Sequence, residues 1–285
     1  MGMREEVEVQ LREMTPQDLV GAHALSKAAN WPHRLEDWEL MLRAGEGLVA
    51  EQDGEVVGTV MGFAHGPAIA TLGMVIVSKV LRGQGMGRKL MEAMIRRLEP
   101  RAIQLNATQD GLALYKSLGF TPVGSIQQHQ GAVFAQPMPR LRPGERVRPM
   151  GVNDEARIVA LDQQASGFQR AGLFAELIKQ AQGVVLDRDG EAVGFALFRR
   201  FGRGYVVGPV IAPDREGART LISHWAGANL GMFIRIDVPG DCGLTDWLLH
   251  VGLESVDRVV TMIRGQPPQL EGGAATFAIV SQALG

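Results

Sequence analysis

A glycine-rich loop between a predicted strand and a predicted helix has the composition of an anion-binding segment. It reads Arg82-Gly83-Gln84-Gly85-Met86-Gly87-Arg88. Alternating glycines permit a sharp turn and leave successive backbone N–H groups free of side-chain cover. Those groups would lie at the positive end of a helix dipole, and the two arginines add charge of the right sign. The spacing predicts a loop that binds a phosphate or a pyrophosphate.

Three other interpretations of these glycines compete with phosphate binding. A dinucleotide fingerprint needs G-x-G-x-x-G directly after the strand and an acidic residue about twenty positions on. Here residues 78–81 intervene, the spacing is G-x-G-x-G, and Asn106 rather than an acid closes the next predicted strand. A nucleoside-triphosphate loop needs Gly-Lys followed by Ser or Thr, which residues 87–90 do not supply. A plain glycine-rich turn is the simplest alternative.

The elements on either side of the loop must hold it in place. Before the loop, Val75, Ile76 and Val77 end an apolar run that predicts a buried strand. After the loop, apolar side chains recur with a period of about 3.6 residues, at Leu90, Met91, Met94, Ile95 and Leu98. The pattern predicts a strand, a loop and an amphipathic helix in succession.

The rest of the first half has the pattern of a mixed α/β unit. Strands are predicted at residues 7–14, 47–51, 56–63, 69–77, 102–107 and 120–127. Helices are predicted at residues 16–29, 35–42 and 108–118, with a further helix that follows the glycine loop and ends at about residue 98. The dipeptide Asp53-Gly54 predicts a tight hairpin between the second and third strands. This order gives a sheet with an antiparallel start and a parallel crossover through the glycine loop.

The second half of the sequence repeats the first. The matched pairs include Arg12 with Arg148, Met14 with Met150, Asp18 with Asp154, Gly54 with Gly190, Gly73 with Gly208, and Gly119 with Gly252. An ordered series of matches across a whole unit indicates an internal duplication. We therefore predict two tandem domains, residues 1–139 and 140–285, with a linker at residues 140–144.

The second copy lacks the features that suit the first to an anion. Its shorter loop keeps one glycine and places Asp214 and Glu216 where a phosphate would lie, and like charges repel. Leu248 replaces Tyr115, the one hydroxyl predicted near the glycine loop. We therefore predict that the second copy is a helper domain without an active site of its own.

Composition narrows the class of protein and its partners. Hydrophobic residues make up 46% and charged residues 21% of the 285 residues, values that predict a soluble globular fold. A net charge of −2 gives no electrostatic footprint for nucleic acid or an anionic membrane. The single cysteine, Cys242, argues against a disulfide framework, and the histidine spacing predicts no metal site. Without an apolar leader or spanning segment, the chain is predicted to be cytoplasmic.

Two segments together resemble the GNAT superfamily of acyl-CoA-dependent N-acyltransferases. Residues 77–87 are similar to that family's pyrophosphate-binding motif, and Ala-Leu-Tyr-Lys-Ser-Leu-Gly-Phe at residues 113–120 looks like the motif that follows it. The resemblance covers residues 7–127, and the second half looks like a degenerate copy. This arrangement is similar to bacterial tandem-GNAT proteins whose C-terminal domain is of the YitH/HolE type. The resemblance implies that each copy is a splayed mixed sheet flanked by helices.

The resemblance also implies a cofactor and a reaction. Acetyl-CoA would lie in the wedge of the first copy, with its pantetheine on the backbone of Val75, Ile76 and Val77 and its pyrophosphate on residues 82–88. An acceptor amine would attack the thioester directly, and the backbone N–H of Val75 or Val77 would stabilise the oxyanion. Tyr115 would protonate the departing thiolate. A tyrosine that merely packs its helix on the sheet is the alternative.

The sequence identifies the residues that would bind and deprotonate the acceptor less clearly than those that would bind the cofactor. Asn106 would bind pantetheine or a water, or would simply end its strand. Tryptophans just after the first helix would wall the acceptor pocket, and the general base would be an acid, a histidine or ordered water. The residues considered for these roles are Trp31, Trp38, His65, Glu36, Asp37 and, from the second copy, Asp237.

The leading hypothesis is an N-acetyltransferase that uses acetyl-CoA and a small primary amine, without a metal. Its chain would be a monomer with an internal pseudo-dimer, or a homodimer. A non-catalytic acyl-CoA sensor and an interaction scaffold without a ligand are the alternatives.

Overall fold

The computed structural model describes residues 9–134, 141–270 and 272–285. The strands are β1 Gln10–Glu13, β2 Glu46–Gln52, β3 Glu55–His65, β4 Ile69–Val77, β5 Ala102–Ala107, β6 Thr121–Ala132, β7 Glu145–Pro149, β8 Ala181–Arg188, β9 Glu191–Phe201, β10 Gly204–Ala212, β11 Phe233–Pro239, β12 Glu254–Arg264 and β13 Ala275–Ala278. The helices are α1 Leu19–Ala28, α2 Leu35–Ala44, α3 Met86–Leu98, α4 Leu112–Ser117, α5 Glu155–Ser166, α6 Ala171–Ile178, α7 Arg215–Ala228 and α8 Thr245–His250. None of the described helices combines the length and the apolar character needed to cross a membrane.

The mixed α/β class is confirmed, and β4 and β5 have the predicted bounds. The strand predicted at residues 7–14 is observed as β1, and its first two residues lie outside the described part of the chain. The helix predicted at residues 108–118 is wrong in length, because Gln109–Gly111 form a 3-10 turn before α4. A 3-10 turn at Pro16–Asp18 likewise precedes α1. The predicted linker begins at residue 140, outside the described residues, and residues 141–144 form an exposed loop.

The predicted duplication is visible in matching side-chain contacts. Arg12 donates two hydrogen bonds to Asp18, at 2.8 and 2.7 Å. In the second copy Arg148 donates two to Asp154, at 2.7 and 2.8 Å. Each aspartate also accepts a backbone N–H three residues earlier, which closes the turn leading into the first helix of its copy. The same sequence pattern has therefore produced the same local structure twice.

The two copies share one continuous sheet. The strand order is β1-β2-β3-β4-β5-β12-β6-β11-β10-β9-β8-β7, and β13 pairs with β10 away from this path. The last strand of the first copy, β6, pairs with β11 and β12, whereas β12 from the second copy pairs with β5 of the first. The copies have exchanged strands. The predicted boundary at residues 139 and 140 therefore divides two sequence repeats, while the sheet runs through both.

The central feature of the first copy is the divergence of β4 from β5. These parallel strands pair only between residues 69–72 and 102–105. Beyond that point, Met74 adopts a positive φ of 54° in a bulge, and Thr59 Oγ1 donates a hydrogen bond of 2.7 Å to the Met74 carbonyl. A bulge bends its strand, so β4 turns away from its neighbour. Among the described strands, none pairs with residues 73–77 on that side.

The second copy has the same divergence but fills it. Strands β10 and β11 pair only at residues 205–206 with 234–235. Strand β13 then enters the wedge and pairs with β10 at residues 210–212, the counterparts of residues 75–77. The N–H of Ile279, just after β13, donates to the carbonyl of Asp237 on the other wall. The chain itself therefore occupies the second wedge.

The helices cover both faces of this sheet. One core cluster packs α3 and α4 against β2 to β5. A second cluster joins the copies, since Trp38 from α2 and Phe174 from α6 lie in it together and both are fully buried. The two copies are held together by this shared core as well as by the exchanged strands.

Cleavage of the loop between the copies is expected to leave them associated. A protease site inserted after Leu141, in the exposed loop, allows the chain to be cut without touching β6 or β7. Because β6 is paired on both sides with strands of the second fragment, the two fragments should co-elute under native conditions at the size of the uncut chain. They should separate in denaturant. Separation under native conditions would contradict the exchanged-strand arrangement.

Candidate functional site

A cleft of about 790 Å³ opens along the unpaired edge of β4. Its walls are the end of that strand, the glycine loop with the start of α3, the end of α1, and α4. The predicted cofactor residues that line it are Val75, Ile76, Val77, Arg82, Gly83, Gly85, Met86, Gly87 and Arg88. The structure thus brings all but one of the predicted cofactor residues to one cleft, the exception being Gln84, whose side chain donates to the Val80 carbonyl at 3.0 Å.

The glycine loop presents its backbone to this cleft. Gly83 and Gly85 have positive φ values of 78° and 80°, which side chains rarely adopt. Gly85 immediately precedes α3 and no side chain caps the first N–H groups of that helix. Arg82 and Arg88 are exposed beside the loop, and Arg88 donates a hydrogen bond of 2.6 Å to Ser117. An uncapped helix start flanked by two guanidinium groups can bind a pyrophosphate.

The corresponding helix of the second copy is already capped. The carboxylate of Asp214 accepts the Gly217 N–H at 2.9 Å, so it takes the place that an anion would need at the start of α7. Arg142 pairs with the same carboxylate at 2.7 Å. The predicted conflict between Asp214 and a phosphate thus has a structural counterpart.

Tyr115 lines the cleft opposite the loop. Its ring lies directly against Gly111, where an added Cβ would come within 2.5 Å of Tyr115 Cε2. Burial raises the pKa of the Tyr115 hydroxyl to about 12, so the phenol is protonated at neutral pH. Within the described residues this hydroxyl has no hydrogen-bond partner. The phenol O–H is therefore a hydrogen-bond donor that is unused among the described residues. Its counterpart Leu248 is buried in the core.

A second cavity of about 370 Å³ adjoins the cleft. Asn30, Trp31 and Thr108 line both, and so form the junction between them. Its other lining residues come from both copies: Pro32, His33, Gly73, Met74, Asn106, Gln128, Gln130, Phe201, Arg203, Arg235, Val256, Asp257, Ser281, Gln282 and Ala283. We call this space the acceptor cavity, after the acceptor pocket that the sequence resemblance implies near Trp31. Trp31, which the sequence predicted as a wall of an acceptor pocket, lines this cavity.

Asn106 lies at the base of the acceptor cavity, where the chain end plugs the wedge. Its side chain donates to the Gln282 carbonyl at 2.9 Å and accepts from Thr261 at 2.8 Å. Ala283 packs on Gly73 so closely that an added Cβ would lie 2.8 Å from the Ala283 Cβ. Residues 281–283 therefore close the bottom of the wedge and leave residues 75–77 open. In the protein alone, both hydrogen-bonding ends of the Asn106 amide are already used.

The prediction that Trp38 walls the acceptor pocket is wrong. The residue is fully buried, and its indole N–H donates to Ser26 at 3.2 Å, because α2 turns that side toward the core. His65 is also in the interior, stacked on Phe168 and hydrogen-bonded to Thr71 at 3.0 Å. It lines neither the cleft nor the acceptor cavity.

The three acidic candidates also lie elsewhere, two of them buried in ion pairs and one in a separate groove. Asp37 is 3% exposed and accepts from Arg34 at 2.9 Å, while Asp237 is 1% exposed and binds Arg235 at 2.6 Å. Glu36 faces an open groove on the outer side of the segment that follows α1. None of the three carboxylates is among the residues that line the cleft or the second cavity.

Sequence reasoning missed His33, which lines the acceptor cavity. Burial, with a further contribution from Arg235 and Arg199, lowers its pKa to about 4, so its imidazole is neutral at pH 7. Its Nδ1 is buried and has no partner among the described residues. The ring stands edge-on to Phe201, 5.5 Å away. Its position next to Trp31 was the available signal, but a lone histidine has no diagnostic spacing.

No group of three or more metal-ligating side chains gathers anywhere in the described part of the chain.

Models of the acetyltransferase (GNAT) domain match residues 11–140 and 158–274. The chain is 28% identical over 282 residues to the "Uncharacterized N-acetyltransferase YitH" of Bacillus subtilis (strain 168), covering 97% of this chain and 98% of that one. It is 24% identical over 206 residues to the holothin acyltransferase of a Pseudoalteromonas species, covering 71% and 69%.

Solved structures agree on the fold. A putative acetyltransferase from Pyrococcus horikoshii superposes with a TM-score of 0.81 at 20% identity, covering 100% of this chain and 99% of that one. A tandem GNAT protein from the clavulanic acid biosynthesis pathway superposes with a TM-score of 0.66 at 14% identity, covering 91% and 99%. The predicted fold, two tandem GNAT-like units, is confirmed.

Acidification is expected to destabilise the fold through His33 and His65. Burial lowers the pKa of His65 to about 3 and that of His33 to about 4, whereas the ordinary value is 6.5. Below pH 6.5 the unfolded chain therefore binds more protons, so stability falls as the pH falls toward 4. One unit below the unfolded pKa, each histidine costs about 1.4 kcal/mol. Thermal unfolding near neutrality and near pH 5.5 measures the loss.

Two variants separate this effect from general acid denaturation. His65→Phe keeps a ring that can stack on Phe168 and removes the proton site, so it should lose less stability on acidification than the parent. His250→Gln changes an exposed histidine and should behave like the parent. An unchanged pH profile in His65→Phe would contradict the assignment of a neutral buried histidine.

Proposed function

Since the chain belongs to the GNAT acetyltransferase family, we propose that it moves an acetyl group from acetyl-CoA to the primary amine of a small molecule. The observation that carries the proposal is the junction of two cavities. One has an unpaired strand edge, an uncapped glycine loop and a buried tyrosine, and the other is lined by polar groups of both copies. A cofactor and an acceptor could therefore meet at Asn30, Trp31 and Thr108.

The cleft offers a hydrogen-bonding partner for each part of acetyl-CoA. Its pantetheine amides would pair with the free backbone of residues 75–77, as an added strand would. Its pyrophosphate would accept from the N–H groups at the start of α3, with Arg82 and Arg88 beside it. The thioester would then lie near the bulge at Met74, next to the junction. A free N–H of Val75 or Val77 would stabilise the oxyanion that forms on attack.

The acetyl group would pass directly from the thioester to the amine, without an acyl-enzyme intermediate. The acceptor ammonium first loses a proton to water, and the neutral amine attacks the thioester carbon. The tetrahedral intermediate then expels the thiolate, and the new amide nitrogen gives up its second proton. Because His65, Asp37 and Asp237 are held away from the junction, the first proton would leave through solvent in the open cavity.

Tyr115 is the proposed proton donor to the departing sulfur. Its pKa of about 12 keeps the phenol protonated, which favours donation of a hydrogen bond as negative charge develops on sulfur. A thiol has a pKa of about 8.5, so full transfer from Tyr115 alone would be uphill. The transfer would be completed as the amide nitrogen returns its proton to the phenolate. Asn106, bound to Gln282 and Thr261, would position the chain end that closes the wedge.

Replacement of Tyr115 tests this role. Tyr115→Phe is expected to lower kcat by about a hundredfold or more, the usual range for loss of a general acid, with little change in the Kd for acetyl-CoA. Tyr205→Phe is the matched control, because Tyr205 is the other tyrosine of the chain and stacks on Phe198 in the second copy. Turnover would be measured as free thiol released with a panel of amines.

Unchanged turnover in Tyr115→Phe would remove the residue from the mechanism. Binding of acetyl-CoA by the parent chain, without thiol release for any amine in a broad panel, would favour the alternative of a non-catalytic acyl-CoA sensor.

The second copy is proposed to bind no acyl-CoA. Strand β13 pairs with the backbone that pantetheine would need, and Asp214 caps the helix that a pyrophosphate would need. A calorimetric titration with acetyl-CoA should therefore give one site per chain. The variant Arg82→Gln should weaken that site, whereas Arg215→Gln at the start of α7 should not. Two equivalent sites would overturn the assignment.

A further inference from the structure

We propose that the acceptor is bipolar, with the reactive amine at one end and an anionic group, a carboxylate or a phosphate, at the other. This inference rests on the proposed acetyl transfer and adds the chemical class of its acceptor. It follows from the order in which charged side chains line the acceptor cavity. Arg203, Arg235 and Asp257 are the charged residues among the described ones that line it.

The sheet fixes the order of these charges. Moving away from the cleft, the strands are β5, β12, β6 and β11. Asp257 lies on β12 and is paired with Gln128 of β6, while Arg235 lies on β11 and is paired with Gln130 of β6. Directly paired residues of an antiparallel sheet share a face, so all four side chains line one floor. With strands about 4.8 Å apart, the backbones of Asp257 and Arg235 are about 10 Å apart across the sheet.

Asp257 is therefore nearer the cleft and Arg235 farther from it. On β12, Val260 and Thr261 pair with Ala107 and Asn106, so the strand carries Asp257 past the end of β5 toward Thr108. A bulge between Ser255 and Asp257 interrupts the pairing at this point. Thr108 belongs to the junction, where the amine must meet the thioester. A carboxylate on this side favours the ammonium form that enters the cavity and can hold its nitrogen toward the cleft.

The far end of the cavity carries an excess of positive charge. Four guanidinium groups, those of Arg34, Arg199, Arg203 and Arg235, gather there with the carboxylates of Asp37, Asp237 and Glu36, the last of which lies 4.0 Å from Arg34. Arg235 donates hydrogen bonds to Asp237. Arg34 forms an ion pair with Asp37, and Arg199 lies 3.9 Å from the same carboxylate. Arg199 is 2% exposed and its Nε has no partner among the described residues. Burial lowers the pKa of Arg199 to about 10, so it remains a cation at pH 7.

The cations at this end are held in place by aromatic and backbone contacts. The Arg199 and Arg235 guanidinium groups lie 5.0 and 5.3 Å from the ring centroid of Phe201, which lines the cavity. His33 beside them is neutral and adds no charge of its own. The four cations thus outnumber the three carboxylates by one positive charge, and Arg203 is the cation without an ion pair among the described residues. Such a field repels an ammonium and attracts an anion.

Arg203 is the residue best placed to contact that anion. It lies at the tip of the hairpin between β9 and β10, is exposed, and has no ion pair within the described residues. The N–H of Gly202 donates to Asp37 at 3.0 Å, which clamps the tip of the second copy to α2 of the first. Gly202 has a φ of 53°, and an added Cβ would lie 3.0 Å from the Pro32 carbonyl. The second copy therefore supplies a recognition group to the site of the first.

Binding without turnover is the first test. The probes are β-alanine, γ-aminobutyrate and the methyl ester of each, with aminopropylphosphonate to distinguish a phosphate from a carboxylate. Each is titrated calorimetrically into the full chain saturated with coenzyme A. The free acids should bind about tenfold or more tightly than their esters, the usual value of a charge-assisted hydrogen bond. Tighter binding of the phosphonate would assign the anion as a phosphate, and tighter binding of the carboxylates would assign it as a carboxylate.

Arg203→Gln is the decisive variant, and Arg96→Gln is its matched control. Arg96 is an exposed arginine on α3, away from both cavities, so its replacement removes the same charge without touching the site. Arg203→Gln should abolish the preference for the acid over the ester, and in turnover it should raise KM for the acid with little change in kcat. Arg96→Gln should keep the preference. Equal binding of acids and esters, or a preference that survives Arg203→Gln, would overturn the proposal.

Different results would contradict the bipolar acceptor and the acetyl transfer. Acetyl transfer to esters and acids alike would overturn the bipolar acceptor and leave the acetyltransferase standing. Acid-selective binding that depends on Arg203, without transfer to any amine, would support the anion site and overturn the acetyltransferase.

Discussion

The structure depends on one constraint, the divergence of β4 from β5 after Leu72. A strand that leaves its partner exposes backbone N–H and carbonyl groups, and buried groups of this kind need other partners. The chain meets this need in two ways. In the second copy β13 pairs with the diverging strand, and in the first copy residues 281–283 close only the bottom of the wedge. In the second copy these backbone groups are paired within the chain, whereas no described strand pairs with residues 73–77 of the first copy on that side.

The exchange of β6 and β12 brings residues of both copies to one cavity. With β12 next to β5, the face of the sheet beyond the wedge is built from β12, β6 and β11, that is, from both halves of the chain. The acceptor cavity takes its floor from these strands and its far wall from the hairpin at Gly202. In the second copy β13 occupies the wedge, and the strands and the hairpin of that copy line the cavity next to the first wedge.

Two buried carboxylates, Asp37 and Asp237, hold neighbouring groups of the second copy in place beside the acceptor cavity. Removing a carboxylate from water is costly unless it is paired, and Asp37 is paired with Arg34 and with the N–H of Gly202. That contact fixes the hairpin whose tip carries Arg203. Asp237 similarly holds Arg235 flat beside Phe201. Both aspartates were candidates for a direct chemical role, and both instead position cations at the far end of the acceptor cavity.

The sequence by itself determined the local features of this protein. The glycine loop, the hairpin at Asp53-Gly54, the bounds of β4, the duplication and the place of Tyr115 follow from spacing and residue type, because turns, helix starts and apolar periods are set by neighbours in the chain. Only the tertiary structure decided the rest. The exchange of β6 and β12, the entry of β13 into the second wedge and the burial of Trp38, His65 and Asp237 depend on contacts between residues far apart in sequence. An aspartate that lines a cavity and an aspartate that is ion-paired with a buried arginine cannot be told apart in the sequence. They differ in the residues that the neighbouring strands place beside them in the folded chain.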